Sequence, residues 1–294
     1  MSFNVSQFTR IHSGFEYLEI QDRFTEAEIS SACNRLRQRY ALHTKSWSNE
    51  TNTEWVLRTY LAVKMVFSSS VMLTSLEYAM EKNLRIVEPY LLYYSILNTC
   101  RALILTAPDE KWDDGKLFSS SHNKIINLTV DYIVKINKDI GHEIKVLLER
   151  SKVYRELFSY KFPASGIRRL DATFVVEFEK AVSMARLFCE LAQFNSEIFQ
   201  ASHNRNVDKK CDLDDRILPT GYEYHGEGRS FVDDEDFYRI GYIYRKRPYP
   251  TNLLWTMTEG MVEDFFGAWC SELEENNDDI YDPDKNWTII FPVP

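Results

Sequence analysis

Two residues suited to phosphate chemistry stand at the ends of one stretch of this chain. Arg101 lies deep in the apolar run that follows Pro89, and His122 comes directly after Ser119-Ser120-Ser121. An arginine presents a planar fork of donors that can clamp a phosphate bidentately. A histidine titrates near neutrality and can take or give a proton there. Metal-free RNA cleavage needs a base near the 2′-OH, or an acid at the leaving 5′-oxygen, together with a cation for the charge that develops at phosphorus. His122 falls in the first turn of its expected helix, beside free N–H groups that favour anions. Asn98, Ser120, Ser121 and Asn123 are the polar neighbours placed to orient either residue. A competing reading makes the pair a structural lock, with Arg101 bonded to loop carbonyls or to Asp113 and Asp114, and His122 capping its helix. In both readings the guanidinium needs a partner, because an unpaired buried charge is very costly.

The elements that must position these residues read as helices. Pro89 suits a first helical turn, and Tyr90, Leu91, Tyr94, Leu97, Ala102 and Leu105 repeat at helical spacing, so a helix is expected over about 87–106. Before it, 54–82 carries no Gly or Pro and is apolar on more than one face, as a buried central helix would be. Ser68-Ser69-Ser70 in its middle marks a bend or a close helix crossing. The two should form a long antiparallel hairpin. After Ser120 or Ser121 as N-cap, a helix follows over 122–136, and another amphipathic segment covers 141–158. Asp171 is expected to cap a helix reaching Ala201, with Phe174, Phe178, Val182, Ala185, Phe188, Ala192 and Phe199 on its core face.

The ends are read similarly. Residues 1–23 look irregular, and Thr25 with Glu28 forms a capping-box pattern for a helix over 26–42. From Ser202 the composition turns polar, and residues 202–250 hold four of the ten glycines. Phe237–Arg245 alternates as a strand does. A last helix over 253–273, an acidic run over 272–284 and a final strand at Trp287–Phe291 complete the reading. The fold class is therefore mainly α, with a smaller α+β C-terminal elaboration. Residues 1–53 form an N-terminal segment with one basic helix, 54–201 a helical bundle and 202–294 the elaboration.

The succession Tyr93-Tyr94-Ser95, Asn98, Arg101-Ala102-Leu103-Ile104-Leu105, a loop, then Ser121-His122-Asn123 resembles the HEPN superfamily over about residues 54–160. These are helical bundles of prokaryotic defence and toxin–antitoxin systems, many of them metal-independent RNases. The resemblance implies a HEPN-like bundle, an RNase or RNA-binding effector, and Arg101 and His122 as its catalytic pair. It also implies RNA as ligand, a homodimer with polar residues of two protomers facing one cleft, and a protein partner from the same defence operon. HEPN nucleases usually carry Arg and His on one helix with four to six residues between them. Here 21 positions separate them, so they can meet only across neighbouring helices. The literal spacing occurs at Arg37 and His43, outside the resembling region. A non-catalytic scaffold, docking a partner through its aromatic, acidic C-terminal third, is the alternative function.

Other candidates are weaker. Arg37, Arg39 and His43 form a basic group open to RNA or simply to solvent. Arg245, Lys246 and Arg247 sit among Tyr242, Tyr244 and Tyr249, the mixture that single-stranded nucleic-acid surfaces use. Asp212, Asp214, Asp215, Asp233, Asp234 and Asp236 lack calcium-loop spacing. No Gly-rich phosphate loop, nucleophile elbow or zinc-protease motif is present, so neither cofactor nor metal is expected. The net charge of −9 over 294 residues excludes a global basic field. Five scattered cysteines, the lack of a hydrophobic leader, and no apolar run of about 18 residues point to a cytoplasmic protein away from membranes.

Overall fold

The computed structural model describes residues 3–171, 173–270 and 280–293. The chain is mainly helical, with one two-stranded sheet in its C-terminal third. Short helices α1 (Ser6–Thr9) and α2 (Leu18–Arg23) lie in the stretch expected to be irregular. They are followed by α3 (Glu26–Thr44), α4 (Asn49–Glu81), α5 (Glu88–Thr106), α6 (His122–Val134), α7 (Lys138–Tyr160) and α8 (Phe178–Asn206). The hairpin β1 (Glu223–Gly226) and β2 (Arg229–Val232) precedes α9 (Asp234–Lys246), α10 (Leu253–Thr256) and α11 (Glu259–Gly267).

Capping follows local chemistry. Thr25 and Glu28 make the reciprocal capping box of α3, Ser121 accepts from Lys124 N at the start of α6, and Asn137 caps α7. Helix α5 packs on α4, α6, α7 and α8, and so stands at the centre of the bundle. The α4–α5 contact is the largest in the protein. Its antiparallel register is fixed by Ser69 Oγ donating to the Ser95 carbonyl at 2.9 Å and Asn98 Nδ2 to Ser68 Oγ at 2.9 Å. The serine triplet therefore marks a close helix crossing. Helix α4 has a window of mean hydropathy 1.3, long and apolar enough to cross a membrane, which the sequence reading did not find. Of that window, 78% is buried inside the fold.

A polar stripe on α8 ties both ends of the chain to the core. Glu190 accepts the Glu19 and Ile20 N–H groups at 3.0 and 2.8 Å and so caps α2. Burial pushes its carboxyl up to about 7 despite those bonds. Gln193, Ser196 and Gln200 receive or supply the backbone and side-chain bonds of Asn252, Leu253 and Leu254. The apolar core around this stripe includes residues from Val5 to Val293.

Several expectations need correction. Phe237–Arg245 is not a strand but most of α9. Asp233 caps it, and Asp236, Ile240 and Ile243 are buried at helical spacing, which overrides the aromatic alternation. The strands lie earlier, around the Gly228 turn (φ 75°). Asp171 caps no helix: its carboxylate closes a local turn on Thr173 N at 2.8 Å, α8 opens at Phe178, and Phe174 is left 40% exposed. The last helix breaks at Met257, whose extended backbone separates α10 from α11, and residues 271–273 of that expectation lie outside the described residues. Residues 272–279 of the acidic run lie there too. Trp287–Phe291 is irregular, since no sheet edge lies beside it, and the Ile289 carbonyl is held by Arg186 Nε at 2.8 Å.

Gly141 is the tightest point between α6 and α7. A Cβ there would meet Val134 Cγ2 at 2.5 Å and the Val134 backbone at 3.0 Å, so α6 and α7 approach only because it is glycine. Gly141→Ala is expected to destabilise the protein by about 1–3 kcal/mol, the usual cost of overpacking. A lowered urea midpoint at unchanged m-value checks this.

Candidate functional site

Three helices converge on His122. Helix α5 brings Tyr93, Tyr94, Asn98 and Arg101; the start of α6 brings His122 and Asn123; the end of α7 brings Lys152 and Arg155. The imidazole is half-buried. Its Nδ1 lies 3.1 Å from the Tyr93 hydroxyl, and the Tyr93 and Tyr94 rings stand 5.7 and 5.6 Å from it. Burial holds the His122 pKa below its usual value, and the positive charges of Arg101, Arg155 and Lys152 push in the same direction. These effects favour the neutral ring. When Nδ1–H donates to the Tyr93 oxygen, Nε2 keeps the free lone pair that a general base needs. Burial pushes the Tyr93 hydroxyl up to about 12, with Arg155 opposing, so it remains a neutral phenol.

The two arginines differ from ordinary surface charges. Arg101 Nη1 donates to Asn98 Oδ1 at 3.3 Å, and Asn98 is in turn held by Ser68 on α4. Arg155 lies over the Tyr93 ring, its guanidinium carbon 5.1 Å from the centroid. In both guanidiniums Nε is buried and has no hydrogen-bond partner among the described residues. Buried donors are normally satisfied, so these two are unusual. The nearest acid is Glu156, 3.7 Å from Lys152 Nζ and 3.8 Å from an Arg155 nitrogen. Lys152 also donates to Asn123 Oδ1 at 2.7 Å.

The structure thus joins Arg101 to Asn98, His122 to Tyr93 and Asn123 to Lys152, with the charges of Arg101 and Lys152 bearing on the His122 ring. Ser120 lies apart, bonded to the Lys116 carbonyl at 3.0 Å, and Ser121 serves as helix cap. The lock that the sequence suggested for Arg101 belongs to Arg58 instead. Arg58 is 1% exposed and pairs with Glu54 at 2.8 Å. It also donates to the carbonyls of Leu105, Ala107 and Glu110, between the rings of Trp55 and Trp112. His122 does not cap α6, and Asp113 pairs with Lys116.

The remaining basic candidates, Arg245 apart, have partners within the protein. Arg37 donates to the Phe8 carbonyl, Arg39 binds Asp109 at 2.5 Å, and His43 Nε2 lies 2.8 Å from the Pro108 carbonyl. Arg247 bonds the Trp255 carbonyl, Lys246 lies 5.8 Å from the Tyr242 ring centroid, and Arg245 is exposed at the end of α9. Among the described residues no three metal-ligating side chains converge. Asp214 pairs with Arg216, while Asp236 binds Tyr60 and Lys64.

Sequence reasoning missed Lys152 and Arg155. Their i, i+3 spacing on an amphipathic helix already placed both on one face. No protein-family model matches the chain, and no curated protein or solved structure matches it.

Because the folded ring titrates below its ordinary value, its neutral form favours folding above that value. The contribution is lost as pH falls through the depressed folded pKa. Arg101→Gln removes one of the repelling charges and is expected to raise the His122 pKa, read by NMR titration of the ring. An unchanged midpoint would mean that Arg101 does not act on the imidazole.

Proposed function

We propose that this chain is a HEPN-like effector that binds RNA at the cluster around His122 and cleaves it without a metal ion. The observation that carries the reading is the pair of guanidiniums, each with a buried unpaired Nε, whose charges bear on one imidazole. In the proposed reaction His122 Nε2 takes the proton of a 2′-OH. The 2′-oxygen then forms a bond to phosphorus as the bond to the 5′-oxygen breaks, and the departing 5′-oxygen takes a proton from water, leaving a 2′,3′-cyclic phosphate and a 5′-hydroxyl end. Arg101 and Arg155 stabilise the charge on the non-bridging oxygens. Tyr93 holds the ring through Nδ1 and sets which nitrogen is free. The YY…RAL…SH succession supports the wider setting: a cytoplasmic defence or toxin–antitoxin protein, acting as a homodimer with a partner from its operon.

A general base is worth about 10²–10⁴-fold in rate. His122→Ala is accordingly expected to lose that much RNA cleavage, measured with labelled single-stranded RNA and chelator present. Tyr93→Phe should retain RNA affinity while cleaving more slowly. Equal cleavage by wild type and His122→Ala would sink the enzymatic reading.

A second reading, a non-catalytic scaffold, is favoured by the surface of the C-terminal third. Tyr224, Phe231, Phe237, Tyr238 and Trp269 are each more than half exposed there. Exposed aromatics of this kind supply contact area at protein interfaces. Under this reading Phe231→Ala with Tyr238→Ala abolishes capture of a host protein, while His122→Ala leaves capture intact.

A further inference from the structure

A second cleft, of about 280 Å³, opens where the end of α8 meets residues 207–211 and the Pro248-Tyr249 corner. Its size lies at the lower end of small-molecule sites. His203, in the last turn of α8, lines it and is 7% exposed, yet its Nδ1 has no hydrogen-bond partner among the described residues. Burial holds the ring's pKa below its usual value, with a side-chain hydrogen bond to Asn204 opposing. A buried ring nitrogen without a partner costs free energy. Trp47 stands edge-on to His203 with ring centroids 4.9 Å apart, and its Nε1 is also unpaired among the described residues. The His203 and Tyr249 rings in the lining suit a flat heteroaromatic ligand such as a nucleobase.

The other walls fit the rest of such a ligand. The Tyr249 ring is nearly parallel to His203, at an interplanar angle of 17° with centroids 5.9 Å apart, and is 42% exposed. An exposed aromatic face is a stacking platform for a flat base. At the rim Lys209 and Lys210 are exposed, and the one acid in the lining is Asp208. This local positive excess occurs in a chain of net charge −9, so it favours an anion there against the field of the whole molecule.

We propose that this cleft binds a free nucleoside monophosphate, with the base against Tyr249 and His203 and the phosphate at Lys209 and Lys210. The site is separate from the His122 cluster and stands independently of any nuclease activity.

Isothermal titration of the full chain with the four ribonucleoside 5′-monophosphates, the corresponding nucleosides and inorganic phosphate tests it. At least one monophosphate should saturate, with its nucleoside and phosphate each binding at least tenfold more weakly. The paired change Lys209→Ala with Lys210→Ala, at exposed positions that do not carry the fold, should weaken the monophosphate about tenfold. Tyr249→Ala should do the same, and His122→Ala should leave affinity unchanged. Four results would overturn the proposal: no saturation at millimolar monophosphate, phosphate or nucleoside binding as tightly as the monophosphate, binding indifferent to the lysine pair, or binding lost in His122→Ala.

Discussion

The buried guanidinium of Arg58 is the interaction on which the site geometry depends. It lies on α4, is almost wholly removed from water, and holds the carbonyls at the end of α5 and the start of the following loop. A cation at a helix C-terminus is favoured by the helix dipole. Removing one partner from a buried pair typically costs about 3–5 kcal/mol, because the remaining charge is left without compensation. Arg39 and His43 hold the next turn of the same loop through Asp109 and Pro108. That loop leads from the helix carrying Arg101 to the residue that starts α6, His122. Its anchoring sets where the imidazole comes down relative to α5. Arg39 and His43, which the sequence offered as part of an RNA-facing patch, thus fix the loop together with Arg58.

The second organising constraint is the polar stripe of α8. An apolar core gathers chain segments without specifying how they lie. Glu190, Gln193, Ser196 and Gln200 add directional bonds that assign one place each to the N-terminal residues and to Asn252–Leu254. The C-terminal third is therefore bonded into the bundle. The carboxylate of Glu190 sits at the first turn of α2, where both N–H groups and the dipole favour it even in a buried setting.

Much of the bundle was legible in the sequence, because helical periodicity and caps are local signals. Thr25/Glu28, Ser121 and the Pro89 start lie where their chemistry dictates. The α4–α5 hairpin followed from two long apolar helices with a short join. What was not legible depends on tertiary partners. Arg101 and Arg58 are both arginines within apolar runs, and only the loop path decides which one meets the carbonyls. Phe237–Arg245 carries both a two-residue and a helical pattern, and the buried Asp236, Ile240 and Ile243 select the helix. Asn98, Arg101 and His122 could be named from the sequence as a candidate set. Arg155 could not be attached to them without knowing that α7 packs against α5.

The central claim is that Arg101, His122 and Arg155 form one phosphodiester-binding cluster. The most direct measurement is the affinity for a non-cleavable 2′-deoxy-substituted oligoribonucleotide as a function of salt, in wild type, Arg101→Gln and Arg155→Gln. The account predicts that each substitution weakens binding about tenfold and reduces the slope of log affinity against log salt, as loss of a phosphate contact does. Affinity and slope unchanged in both variants would contradict it.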